Sequence, residues 1–160
     1  NEDAQLNIYK QEVERLSIYA GLTAVKGPGL IIDIDLNQAG ASISAGNLLT
    51  IINAIKSSGY AISVNGQRIV ALSDINATGS AENPNIIVNG TNISDPDGYE
   101  IRVIGEEGKM RDFVNFHTGV WDRLKASGLT INFHFPTEVE IPALAKDSPA
   151  FRQELLEPVE

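Results

Sequence analysis

Near the start of the chain the apolar residues Leu6, Tyr9, Val13, Leu16 and Ala20 recur at steps of three, four, three and four. This is the a/d rhythm of a coiled-coil seam, and Gln5, Lys10, Gln11, Glu12, Glu14 and Arg15 fill the other faces. A helix this short is marginal alone in water, so it either docks on its own domain or continues upstream as the end of a coiled coil. Gly21 stops it, and Gly27, Pro28 and Gly29 turn the chain into a first strand, Leu30 to Leu36. That strand is apolar almost throughout at its start, as one covered on both faces requires. A helix follows over Asn47 to Ser57, with Leu48, Leu49, Ile51, Ile52 and Ile55 at helical spacing and Gly59 placed to cap its end.

The sharpest local signal is Asn65-Gly66 between Tyr60–Val64 and Gln67–Leu72. Asn-Gly favours a type I′ turn, because both central residues need positive φ, so a two-residue hairpin is expected. The register then pairs Val64 with Gln67, Ser63 with Arg68, Ile62 with Ile69 and Ala61 with Val70. Ile62 and Ile69 share one face, and Ser63 and Arg68 the other. Residues 74 to 98 are rich in Asn, Gly, Ser and Pro, and hold one short apolar run, Ile86 to Val88, before a second Asn-Gly turn at Asn89-Gly90. They read as a small excursion from the main fold. Tyr99 to Ile104 is a further strand, Glu106 to Ser127 is helical with a break near Gly119, and Gly128 caps it. The last strand, Leu129 to Phe135, points Ile131, Phe133 and Phe135 one way. Val139, Ile141, Pro142 and Ala143 read as an edge or an extended tail, and the acidic end as loose.

Without the front helix and the excursion, the order strand, helix, hairpin, strand, helix, strand is the split βαβ pattern. The expected class is α+β, a ferredoxin-like split βαβ variant with an added N-terminal coiled-coil-like helix. The expected organisation is that helix over 1–20, an α+β domain over 21–145 and an acidic tail over 146–160.

At 160 residues the chain can bury roughly 70% of its unfolded surface. It has no cysteine, which excludes disulfides, thiolate metal sites and cysteine nucleophiles together. Its net charge of -9 repels phosphate backbones, and the cluster Lys109, Arg111, Arg123 and Lys125 is interleaved with Glu106, Glu107, Asp112 and Asp122 as on a solvated helix face. Nucleic-acid binding is therefore not expected. No apolar run is long enough to span a membrane. The chain begins with Asn1 rather than Met, from which we expect a processed or excised piece whose anchor lies upstream.

No constellation for catalysis, metal binding or a cofactor emerges. His134 alternates with Phe133 and Phe135, and His117 adjoins the Met110, Phe113, Val114, Trp121 stripe, the setting of a hydrogen-bonded boundary histidine. Asp33 and Asp35 share one face of the first strand, as a partly exposed strand end also would. Asp95, Pro96, Asp97 and Gly98 open like a calcium loop without its later ligands. Arg68 is the more informative residue. The small Ala61 and Ser63 beside it leave room for a planar guanidinium suited to carboxylates. It either ties down its own turn or, with Ser63, Asn65, Gly66 and Gln67, forms a patch for a partner.

The run Gly21 to Gly29, the helix end Ser58, Gly59, Tyr60 and the hairpin Ala61 to Ile69 resemble the DUF881 family of Gram-positive bacteria, whose members include so-called division-initiation proteins. Ile87 to Gly90, the Ile101 to Gly105 strand and the closing Val139 to Ala143 extend the likeness to most of the chain from Leu16. The segment Asp95 to Tyr99 departs from it, where the family is more apolar. The resemblance implies a membrane helix, a coiled coil and then this domain outside the cytoplasm, with a loose tie to division or sporulation and no established activity. The resulting expectation is a non-enzymatic, membrane-anchored extracytoplasmic module that binds itself through the front helix, as a homodimer, or binds division or envelope proteins near Arg68. The alternative is a small-ligand sensor with its pocket between the sheet and residues 74 to 98.

Overall fold

The computed structural model of the protein describes residues 1–19, 21–36, 43–71, 73–79, 84–151 and 159. Ala20, at the end of the seam, Leu72 and most of the acidic tail lie outside them. The described chain is α+β, with four α-helices and antiparallel sheets. In order it runs α1 (Glu2–Tyr19), β1 (Val25–Gly27), β2 (Gly29–Asp35), α2 (Ala45–Lys56), β3 (Ala61–Val64), β4 (Gln67–Ile69), β5 (Ile75–Gly79), β6 (Pro84–Val88) and β7 (Thr91–Asn92). Then come β8 (Gly98–Ile104), α3 (Glu107–Phe116), α4 (Thr118–Ala126), β9 (Thr130–His134), β10 (Val139–Ile141) and a 3-10 turn at Pro149–Phe151.

The main sheet has five strands in the order β4-β3-β8-β2-β9. In β2 the side chains of Leu30, Ile32 and Ile34 are buried while Asp33 and Asp35 are partly exposed, which is the period-two alternation of a strand with one dry face. On that dry face, α2 contributes Leu48, Ile51, Ile52 and Ile55, α3 Met110 and Phe113, and α4 Trp121 and Leu124. Ser44 caps α2, its hydroxyl accepting from the Asn47 amide at 3.0 Å. Gly59 does not adopt the left-handed cap conformation expected of it. Its requirement is space, since a Cβ there would collide with a methyl of Val103.

The break between α3 and α4 falls at His117, two residues before the glycine expected to cause it. His117 hydrogen-bonds through Nδ1 to the Phe113 carbonyl at 2.8 Å, and the Trp121 indole N–H donates to the Val114 carbonyl at 3.0 Å. These side chains occupy carbonyls at the helix end. Trp121 also meets Phe133 edge to face at 5.1 Å, and Arg111 lies 4.2 Å over the ring of Phe135, so the aromatic side of the last strand is covered by α3 and α4.

The hairpin forms in the expected register, Val64 to Gln67, Ser63 to Arg68 and Ile62 to Ile69, with φ of 46° at Asn65 and 81° at Gly66. The ladder ends there, because Val70 leaves it to pack with Leu144 and Ala150.

Two expectations need correction. Residues 74 to 98 are no excursion: β5, β6 and β7 form a three-stranded antiparallel sheet, and Ile86, Val88 and Ile93 belong to the main core. Val139 to Ile141 takes the first of its two expected forms, an edge, since β10 pairs antiparallel with β1, Val25 opposite Ile141 and Gly27 opposite Val139. The beginning of the acidic end is fixed rather than loose, with Ala150 buried beside Val70 and Leu144.

Asn65 holds the hairpin tip to the strand that follows the small sheet. Its Nδ2 donates to the carbonyls of Ile93 at 2.8 Å and Gly98 at 3.3 Å, and its Oδ1 accepts from the Glu100 amide at 2.7 Å. With its positive φ added, Asn65→Ala is expected to cost about 2–3 kcal/mol. A fall of roughly 5–10 °C in calorimetry would show it.

Candidate functional site

The face of the main sheet away from the helices carries the residues expected to meet a partner. Half of it is covered from within the chain. The β1–β10 pair lies across it as a strap, with Val25, Val139 and Ile141 packing on Ala61, Ile31 and Ile104. The small side chains beside Arg68 therefore make room for the strap rather than for a visitor.

Arg68 lies under the strap's margin at 2% exposure. Its Nη1 donates to the carbonyls of Thr23 at 3.0 Å and Pro142 at 3.1 Å, one in the segment before β1 and one just after β10. Desolvation lowers the guanidinium from its ordinary pKa, though an arginine stays cationic even so. Ser63, at 1% exposure, is buried beside it. Asn65 is committed to the bonds described above, Gln67 is half-buried, and Gly66 alone of the five stands open at the tip, with nothing within 4 Å of its Cβ position. The patch expected at Ser63, Asn65, Gly66, Gln67 and Arg68 is thus not an open surface. Arg68 ties the segments before β1 and after β10 to β4.

Asn89, the first residue of the second Asn-Gly pair, completes this junction. It is buried at φ 52°, and its Nδ2 donates to the Arg68 carbonyl at 2.8 Å. This bond links the turn of the small sheet to β4. The second Asn-Gly pair is the signal that could have drawn attention to it.

The uncovered half of the face is polar. His134 Nε2 lies 3.2 Å from Asp33 Oδ2, Arg102 Nε lies 2.6 Å from Glu100 Oε1, and Arg102 Nη1 donates to the Glu140 carbonyl at 3.1 Å. Asp33 stands directly opposite Glu100 in the ladder. Among the described residues no three His, Asp or Glu side chains converge as a metal site requires. Asp95 is engaged locally, its Oδ1 accepting from the Asp97 amide at 2.8 Å and its carbonyl from Gly98 at 3.2 Å. Among the described residues, the globular part has a cleft of about 460 Å³ along Lys56, Tyr60, Val70 and Ala71 and another of about 510 Å³ along Lys26, Arg102 and Glu140. Neither is lined by residues 74 to 98, where Ile86, Val88 and Ile93 pack against the core instead.

The front helix is the other candidate. Residues 1 to 16 are exposed along their whole length, and the seam residues Leu6, Tyr9, Val13 and Leu16 are 51%, 66%, 45% and 60% exposed. Docking of α1 on its own domain, one of its two expected destinations, does not occur. Where α1 ends, Gly21 takes φ 77° and its carbonyl accepts from the Leu144 amide at 2.8 Å, continuing the strap up to the helix. No helix among the described residues is long and apolar enough to cross a membrane.

The sequence matches the profile described as "Bacterial protein of unknown function (DUF881)" over residues 12–153. The chain belongs to the DUF881 family. No curated protein matches it. Among solved structures it is similar to an uncharacterized conserved protein from Mycobacterium tuberculosis, with 23% identity and a TM-score of 0.71 over 92% of this chain and 99% of that one. At that identity the likeness concerns the fold.

Proposed function

We propose that this DUF881 chain is a non-enzymatic interaction module on the outer side of the cell membrane, which binds a second copy of itself through α1 and serves division or envelope proteins. The observation that carries the reading is the seam of Leu6, Tyr9, Val13 and Leu16, exposed on a helix that makes no use of it within its own domain. Exposed apolar side chains at a/d spacing are what a second helix covers. The ferredoxin-like assignment belongs to the same reading. It is supported by the order β3-β8-β2-β9, in which β8 separates the two strands joined through α2 and all neighbours are antiparallel. The family resemblance supports the placement outside the cytoplasm.

Light scattering over a concentration series tests the assembly, on the chain and on a form lacking residues 1–20. The expected result is a dimer that becomes a monomer on truncation, with the melting temperature of the globular part shifted by less than about 2 °C, because Leu6, Tyr9, Val13 and Leu16 are exposed rather than packed on it. A monomer in both forms at every concentration removes the reading.

A further inference from the structure

The orientation of the second copy, which rests on the self-association reading above, is written in the charges flanking the seam. We infer that two α1 helices pair in parallel and in register, so that both globular domains emerge at the same end of a two-stranded coil.

With Leu6 and Val13 at a and Tyr9 and Leu16 at d, Gln5 and Glu12 occupy g, Lys10 and Ser17 occupy e, and Ile8 and Arg15 occupy c. In a parallel pair, each g position lies beside the e position of the following heptad on the other helix. Gln5 then meets Lys10, and no like charges face each other. The antiparallel register that keeps all four seam layers sets Leu6 opposite Leu16 and Tyr9 opposite Val13, with g beside g and e beside e. There Glu12 lies beside Glu12 of the second copy and Lys10 beside Lys10, each offset by only about 3 Å along the axis. Like charges so placed disfavour that arrangement. Arg15, 3.9 Å from Glu12 on the same helix, forms an exposed pair that offsets little of this. Val13 at a followed by Leu16 at d is the combination that, within a parallel coil, favours two strands.

Orientation matters because the helix is not loosely hung. The Leu144 bond to Gly21 and the Arg68 bond to Thr23 fix the chain immediately after α1 to the strap. A parallel coil therefore holds the two domains side by side, whereas an antiparallel one would carry them to opposite ends.

The absence of cysteine makes single thiols clean reporters. Leu6→Cys, Leu16→Cys and, as a control at c, Ile8→Cys are made in the full chain and oxidised at a concentration where light scattering finds the reduced proteins dimeric. In the parallel register the two thiols at position 16 come within the Cα span a disulfide needs, about 4.4–6.8 Å. In the antiparallel register they are about 15 Å apart along the axis. The expected result is that Leu6→Cys and Leu16→Cys each give at least about ten times the covalent dimer of Ile8→Cys, and that mixing the two gives no disulfide between positions 6 and 16. A dimer that cross-links 6 to 16 in the mixture, with neither variant linking to itself, overturns the parallel arrangement and leaves self-association standing. A monomer with no cross-link in any combination overturns the self-association reading itself, and this inference with it.

Discussion

Arg68→Ala is expected to lower the melting temperature by roughly 10 °C, through a loss of about 3–5 kcal/mol. The side chain is fully buried, so truncation opens a cavity under the strap and strands the carbonyls of Thr23 and Pro142 that Nη1 now satisfies. Arg68→Met separates the two components. It refills most of the volume but donates nothing, so it should recover part of the loss and no more. Arg68→Lys keeps a charge and a single nitrogen such as now serves both carbonyls, but its ammonium is more strongly hydrated and so more costly to bury, and it should also fall short. Hydrogen exchange would locate the damage. The amide of Leu144, which donates to Gly21, and the amides pairing β1 with β10 should lose protection before those of β2 and β8. A melting temperature within about 2 °C of the parent protein would mean that the strap is held by its apolar contacts alone.

The hairpin was legible to the residue because its signal is local. Asn-Gly dictates the turn, the turn dictates the register, and alternation dictates the faces. The helices were legible for a similar reason, although α2 begins two residues earlier than expected, behind the Ser44 cap, and His117 sets the break between α3 and α4. What escaped was the strap. Val25–Gly27 and Val139–Ile141 are three-residue strands from opposite ends of the chain, too short to show a period and paired only through the fold. With the strap unseen, Arg68 was given the right face but not the neighbours, Thr23 and Pro142, that bind it there. The small sheet escaped because turn residues dominate residues 74 to 98, and its inward positions reduce to Ile86, Val88 and Ile93. For α1 the sequence marked the seam but could not say whether the domain would cover it. That question belongs to packing, and the structure leaves the seam exposed.

The five-stranded sheet depends on close backbone approach at the mouth of its central pair, and Gly98→Ala should expose that dependence most severely. Gly98 opens β8 at φ 145°, opposite Asp35, and a Cβ there would overlap the carbonyl oxygen of Ile34. The obstacle is backbone in the middle of the sheet, so no side-chain rotation relieves it. Moving β8 away would disturb the Asn65 bond to the Gly98 carbonyl on one side and the Leu36 bond to Asp97 on the other. We expect a cost above about 4 kcal/mol, seen as a loss of more than roughly 10 °C or a failure to fold. Two other glycines isolate the cause. Gly66 has φ 81° but open space around it, so Gly66→Ala pays conformational strain alone, about 1 kcal/mol. Gly119 lies in open space within α4 at ordinary helical φ, so Gly119→Ala should stabilise by about 0.5–1 kcal/mol. If Gly98→Ala melted no lower than Gly66→Ala, the close contact would be carrying no weight, and β2 and β8 would have more freedom to part at that end than their register implies.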